Sequence, residues 1–342
     1  MTLALDSLQS KGHEVTEMER QGAIAAILLH DMGHAPFSHA LERDIVSGID
    51  HEHISLMFME RLNKEMDGAL DTCISIFKKE HPKKFLGQLI SGQLDVDRLD
   101  YLKRDSFYTG VSEGVVGSQR IIKMLDVHEG EIVVEEKGIY SIENFLVARR
   151  LMYWQVYLHK TVIAAEFLLV SIVRRARELF SQGEGLFASP ALKYFLTQKI
   201  GRKEFEQDEQ VLHQYASLDD HDVLGAIKVW TGHKDKVLSE LSTALINRRL
   251  PKIRLSKTPF TAEEIELWKE KVKKAKDLSD QEVDFYITSG KVVNNAYDTD
   301  NEHIHIKYKD GRVIDVAEAS DTLNISALSS KVEKYFLMVP RD

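Results

Sequence analysis

Leu28-Leu29-His30-Asp31-Met32-Gly33-His34-Ala35-Pro36-Phe37-Ser38-His39 is the stretch on which the reading of this chain turns. Three histidines and an aspartate fall within ten residues, directly after an apolar run. The run Ala23 to Leu29 predicts a helix that anchors them, and Gly33 and Pro36 then break the regular backbone. Neutral imidazole and carboxylate together suit a divalent transition metal. Adjacent helical residues point about 100° apart, so His30 and Asp31 share an ion only at the edge between them. Further ligands must come from elsewhere. The plainer alternative is a helix end decorated with polar side chains.

A second cluster offers the missing carboxylate. Gln93-Leu94-Asp95-Val96-Asp97-Arg98-Leu99-Asp100-Tyr101-Leu102-Lys103-Arg104-Asp105 holds four aspartates and two arginines. On a helix, Asp97, Tyr101 and Asp105 share a face, and Asp100 and Arg104 form an i, i+4 pair. A charge run of this kind can be a solvated face. Leu94, Val96, Leu99 and Leu102 point instead to a packed helix, on which partly buried carboxylates need a cation or hydrogen-bond donors.

Together these segments resemble the HD-domain phosphohydrolases, in the branch of the deoxynucleoside triphosphate triphosphohydrolases. The resemblance is carried by His30-Asp31, Gly33-His34, Pro36-Phe37-Ser38-His39, His51-Glu52, Asp95 to Tyr101, and Arg104-Asp105. It continues at Tyr157-Leu158-His159-Lys160, and more loosely toward the C-terminus. It implies a mainly α-helical HD fold and a divalent metal ion (Mn, Fe, Zn, Co or Ni, with Mg beside phosphates). It also implies a nucleotide substrate, a deoxynucleoside triphosphate, and assembly into a homo-oligomer.

By that resemblance His30, Asp31 and Asp97 are three of four metal ligands. The fourth, a His on a preceding helix, has no counterpart after Met1; His13 lies in a turn-like Lys11-Gly12-His13-Glu14. The chain is therefore expected to be shortened at its start, with weakened metal binding and activity. The implied attack falls on the α-phosphorus and releases deoxynucleoside and triphosphate. His39 with Glu42 matches the family's catalytic His and its carboxylate partner, a spacing that lets the carboxylate orient the ring. His51 matches a His that protonates the leaving 5′ oxygen. His34, Arg98 and Arg149 match phosphate-binding positions, while Lys103 is a candidate by charge alone. Tyr101, Asp105 and Tyr157 match residues around the sugar, Asp105 accepting from the 3′-hydroxyl and Tyr157 crowding the 2′ position. Two rival readings remain: a phosphohydrolase for another nucleotide or phosphate ester, and a catalytically weakened protein that binds nucleotide as a regulatory or assembly signal.

Composition agrees with a globular enzyme. The 342 residues are 43% hydrophobic and 29% charged, enough for a sizeable core and two domains. A single cysteine, Cys73, excludes an internal disulfide and fits a reducing, cytoplasmic setting. No run of about 18 apolar residues suggests a membrane span, and the start lacks signal-peptide character. A net charge of -9 argues against general nucleic-acid binding. The basic run Lys269 to Lys276 reads as a solvated helix face.

The pattern predicts helices over Ile54 to Glu65, Phe85 to Asp105, Ile142 to Phe180 and Val223 to Ile246. Glu131 to Val134 and Ile139 to Ile142 predict a hairpin turning at Gly138. Gly183 and Gly185 should end the long helix. After Pro251 the character changes. A capping box at Thr261-Ala262-Glu263-Glu264 opens a helix, and strands follow over Phe285 to Val293, His303 to Tyr308 with a turn at Asp310-Gly311, and Tyr335 to Val339. His303 and His305 share one strand face, read as exposed. The expected layout is a helical domain over 1–250 and a small α+β accessory domain over 251–342.

Overall fold

The apolar run before His30 forms the helix Glu17–Leu29 in a computed structural model that describes residues 1–297, 303–321 and 330–341. Thr16 and Glu19 close its capping box, satisfying two backbone N–H groups at the helix start. Its inner face is made of small residues, Gly22, Ala23 and Ala26. They let it lie close against the helix Asp71–Phe77. A Cβ on Gly22 would come within 2.7 Å of the Thr72 side chain, so the approach requires glycine.

The chain folds as two compact units interleaved along the sequence. The described residues of 1–32, 55–157 and 293–332 form the first, and those of 33–54, 158–292 and 333–342 the second. This division does not follow a cut at residue 250. The architecture is mainly helical with a small C-terminal sheet region.

In the first unit one core joins Leu5 and Leu8 to Phe85, Leu99, Leu102, Phe145 and Met152. The helix Val96–Thr109 buries Val96, Leu99, Leu102 and Ser106, a stripe that leaves the Asp97, Tyr101, Asp105 face free for the site. Asp95 caps its start and Gly110, at φ +71°, ends it. The predicted helix over 85–105 is therefore two pieces, Lys84–Gln88 and Val96–Thr109. Between them Asp95 turns extended and takes the Gly92 N–H.

The hairpin also differs from expectation. Glu131–Glu135 pairs backward with Leu125–His128, and Ile139 opens the helix Ile139–Met152. The turn sits at Glu129-Gly130, both at positive φ, the conformation tight hairpin turns demand. His305–Lys307 and Val313–Asp315 complete this four-stranded sheet, the former parallel to Glu131–Glu135. These two C-terminal strands thus belong to the first unit. His303 accompanies His305 with rings 5.8 Å apart and bonds Asp315.

The second unit is built on the helix Lys160–Ser181. The predicted continuous helix over 142–180 breaks just before it. A π-helical turn, Tyr153–Tyr157, follows Met152, and His159, with extended backbone, caps the new helix at Thr161 N–H. Gly183 at φ +85° follows its end. The predicted 223–246 helix divides into Asp220–Trp230 and Lys236–Ile246, because Asp235 caps a fresh start. Lys252–Ser256, Val332–Val339 and Thr288–Asn294 form a sheet with the C-terminal strand central. Phe336 and Met338 pack there with Ile163, Ala164 and Ile253. The Thr261 capping box opens the helix Ala262–Lys276 as expected.

Candidate active site

His30 directly follows the Glu17–Leu29 helix. Its Nδ1 lies 2.8 Å from the Ile27 carbonyl. That bond makes Nδ1 the donor and aims Nε2 away from the helix, the usual second-sphere arrangement of a ligating histidine. Nε2 faces Asp31 Oδ1 at 3.3 Å and Asp97 Oδ2 at 4.0 Å. An imidazole nitrogen set beside two carboxylates is a donor set that a divalent cation would satisfy. Burial pushes the Asp97 carboxyl above its ordinary range; His30 and Arg98 oppose the shift, Asp95 and Asp31 add to it.

The rest of the helix face continues the first unit's site. Tyr157 donates its hydroxyl to Asp105 Oδ2 at 2.8 Å, and Tyr101 meets the Tyr157 ring edge-on at 5.9 Å. Burial, reinforced by the Asp105 bond, drives the Tyr157 phenol well above its usual range. Two guanidinium groups stand beside these rings. Arg98 donates to the Gly92 carbonyl and to Asp95; burial works against its charge, but Asp95 outweighs that and holds it on. Arg149, only 7% exposed, donates to Gln93 Oε1 and the Ala296 carbonyl. It lies 6.0 Å from the Tyr153 ring centre, and its Nε is buried with no hydrogen-bond partner among the described residues. Burial, then the neighbouring Arg98 charge, lowers its pKa. Arg98 is balanced by Asp95 while Arg149 has no bonded carboxylate, so an anion beside Arg149 would meet an uncompensated guanidinium.

In the second unit four donors converge. His34, His39, Glu42 and His51 each offer an atom within 4.8 Å of all the others. His34 stacks on His51 with ring centres 4.0 Å apart, and His39 meets both edge-on. Glu42 Oε1 accepts the His51 backbone N–H at 2.8 Å and lies 2.9 Å from His51 Nδ1. Its other oxygen is 3.4 Å from His39 Nδ1. Burial would raise the Glu42 carboxyl, but the bonds from His51 and His39 prevail and hold it below the usual range. Phe37 and Ser38 both take left-handed backbone, at φ 58° and 48°, a strain concentrated at functional turns. The Phe37 N–H to Asp220 bond and the Tyr215 hydroxyl on the Gly33 carbonyl hold that segment.

Of the residues read from sequence, the structure brings His30 to Asp31 and to Asp97, and Tyr101 and Asp105 to Tyr157. It gathers His34, His39, Glu42 and His51 separately. His13 bonds Asp126 at 2.5 Å, and Lys103 is exposed on the outer side of its helix. Sequence reasoning missed Tyr153 and Gln93, both engaged by Arg149, and the Ile27 carbonyl that accepts from His30 Nδ1. Gln93 stands at the head of the aspartate-rich cluster; the role of Tyr153 depends on the π-turn, which carries no pattern of its own.

Comparison with known proteins gives a consistent picture. The model of the HD domain matches residues 2–105, and that of the HD associated region matches 116–184. A crystal structure of a phosphohydrolase from Bacteroides thetaiotaomicron superposes with a TM-score of 0.95 at 53% identity, covering 99% of this chain and 84% of that one. The uncharacterized protein YwfO of Bacillus subtilis is 35% identical over 69% of this chain and 54% of its own length. The deoxynucleoside triphosphate triphosphohydrolase SAMHD1 homolog of Dictyostelium discoideum is 32% identical over 51% of this chain and 37% of its own. The chain spans about half the length of the curated relatives it matches. Among the described residues no single helix is long and apolar enough to cross a membrane.

Proposed function

This chain belongs to the HD-domain phosphohydrolases, and from that membership we propose that it hydrolyses deoxynucleoside triphosphates to deoxynucleoside and triphosphate. The observation that carries the reading is the Arg98–Arg149 pair beside the Tyr157–Asp105 hydrogen bond. In this reading the pair receives the phosphates, next to a carboxylate and a phenol suited to a sugar.

In this proposal His30, Asp31 and Asp97 hold the divalent ion. Bound there, such an ion supplies Lewis acidity toward a phosphoryl oxygen and lowers the pKa of water. Arg98, Arg149 and His34 bind phosphate oxygens. Glu42 orients His51 and His39, of which His51 gives its proton to the departing 5′ oxygen. One bond forms, from water oxygen to the α-phosphorus, and one breaks, from the α-phosphorus to O5′. Asp105 accepts from the 3′-hydroxyl, while Tyr101 and Tyr157 wall the sugar, so that a 2′-hydroxyl is crowded out. A cytoplasmic homo-oligomer is part of the same proposal.

The test is chromatography of the products formed from each deoxynucleoside triphosphate and its ribonucleotide counterpart with Mn present. Deoxynucleoside and triphosphate are expected, with the ribonucleotide at least tenfold slower. Replacing Tyr157 with Ala should narrow that gap. Release of pyrophosphate or orthophosphate would place the chemistry at another phosphorus. Nucleotide binding with no product would favour a regulatory protein instead.

A further inference from the structure

We propose that the second unit carries a separate binding site for a free oligophosphate anion, in the cleft between the short helix Glu42–Ile45 and the helix Lys160–Ser181. The cleft encloses about 390 Å³ and is lined by Arg43, Arg174, Arg177 and Lys199, with Asp44 as its one carboxylate. Ser47, Ser181 and Thr197 add hydroxyl groups.

The four cations are not equivalent. Arg174 is paired with Asp44, Nε to Oδ1 at 2.6 Å. Arg177 is held by backbone carbonyls alone, at Phe195, Gln198 and Asp44. Its position is therefore fixed while its charge meets no bonded carboxylate. Arg43 and Lys199 make no side-chain hydrogen bond or ion pair among the described residues. A fixed cation flanked by two uncommitted ones, on a chain whose net charge is -9, is a local reversal of sign that favours a compact, multiply charged anion. None of the lining residues is aromatic. A nucleobase would find no ring to stack on, and single-stranded nucleic acid is held largely by such stacking. The chemistry recognised is thus phosphate without a base. The site does not depend on the catalytic reading above, since it shares no residue with it.

The test is calorimetric titration of the EDTA-treated full chain with sodium tripolyphosphate. Wild type should bind, at least tenfold more tightly than it binds orthophosphate, and more weakly as salt is raised from about 50 to 200 mM. The double variant R43E/K199E should bind at least tenfold more weakly, or lose one equivalent. Both side chains are exposed and unpaired, so its circular dichroism and melting should match wild type; the milder R43A/K199A pair should fall between. D97N, which alters the first unit's site, should keep the equivalent that R43E/K199E loses. Several results would overturn the proposal: no binding to wild type at millimolar tripolyphosphate, R43E/K199E within twofold of wild type with no equivalent lost, or loss of that same equivalent in D97N. Tighter binding of a single-stranded oligonucleotide would also overturn it.

Discussion

Replacing Glu42 with Gln isolates the charge that orients His51. The carboxylate receives two contacts from His51, at 2.8 Å from the backbone N–H and 2.9 Å to Nδ1. Both side chains are well covered, 15% exposed for Glu42 and 20% for His51. A hydrogen bond to a charged group is worth about 1.5–3 kcal/mol, and little of that is lost to solvent here. The His39 contact is longer, at 3.4 Å, and His39 is 73% exposed, so its share is close to nil. Gln keeps one carbonyl oxygen for the backbone N–H but no longer stabilises a protonated His51. The expected loss is about 2 kcal/mol in the transition state, or roughly 30-fold in kcat, with KM changed less than twofold. Triphosphate release measured over a substrate series, beside a melting curve, decides it. A fall in kcat below threefold with an unchanged melting temperature would refute the role given to Glu42. A rise in KM at constant kcat would make the cluster a phosphate holder instead.

Other consequences concern the metal and the fold. Asp97→Asn should abolish bound divalent metal measured by mass spectrometry, whereas Asp100→Asn should leave it intact, because Asp100 is occupied with Arg104 at 3.0 Å on the solvent side. Equal loss in both variants would dissolve the ligand assignment. Asp95→Asn is expected to lower stability in urea by about 1–2 kcal/mol, since Asp95 caps its helix and neutralises Arg98. Asp126 holds His13, Lys307 and the Val127 N–H. Burial opposes its ionisation, but these bonds prevail and lower its carboxyl to about 2. A depressed carboxyl stabilises the fold above its unfolded pKa of 3.8 and loses that contribution as pH falls toward 2. Urea titrations should show about 2 kcal/mol lost over that window, and Asp126→Asn should lose it already at pH 7. A variant as stable as wild type at pH 7 would contradict the assignment.

Much of the site was legible because it is local in sequence. Asp97, Tyr101 and Asp105 share a helical face by spacing alone, and the structure keeps all three on one side of Val96–Thr109. Cap signals were equally readable at Thr261-Glu264 and at Gly183. The breaks inside long apolar patterns were not. Periodicity runs unbroken through Met152 to Lys160, while the backbone is redirected by a π-turn and a histidine cap, neither of which alters which residues are apolar. Gly138 between two apolar runs has the signature of a hairpin turn without being one. It is glycine for closeness, since a Cβ there would lie 2.5 Å from Val134. The parallel pairing of His305–Lys307 with Glu131–Glu135 joins strands some 170 residues apart, and alternation within a strand says nothing about its partner. Gln93 and Tyr153 escaped for a related reason: each matters through Arg149, a contact that only the folded chain creates.

The measurement closest to the central claim is hydrolysis of a deoxynucleoside triphosphate in water enriched in ¹⁸O, followed by ³¹P spectroscopy of the products. Attack at the α-phosphorus with departure of O5′ predicts a single ¹⁸O on a terminal phosphate of intact triphosphate, and an unlabelled deoxynucleoside. Label appearing in the deoxynucleoside hydroxyl, in pyrophosphate or in orthophosphate would contradict the account.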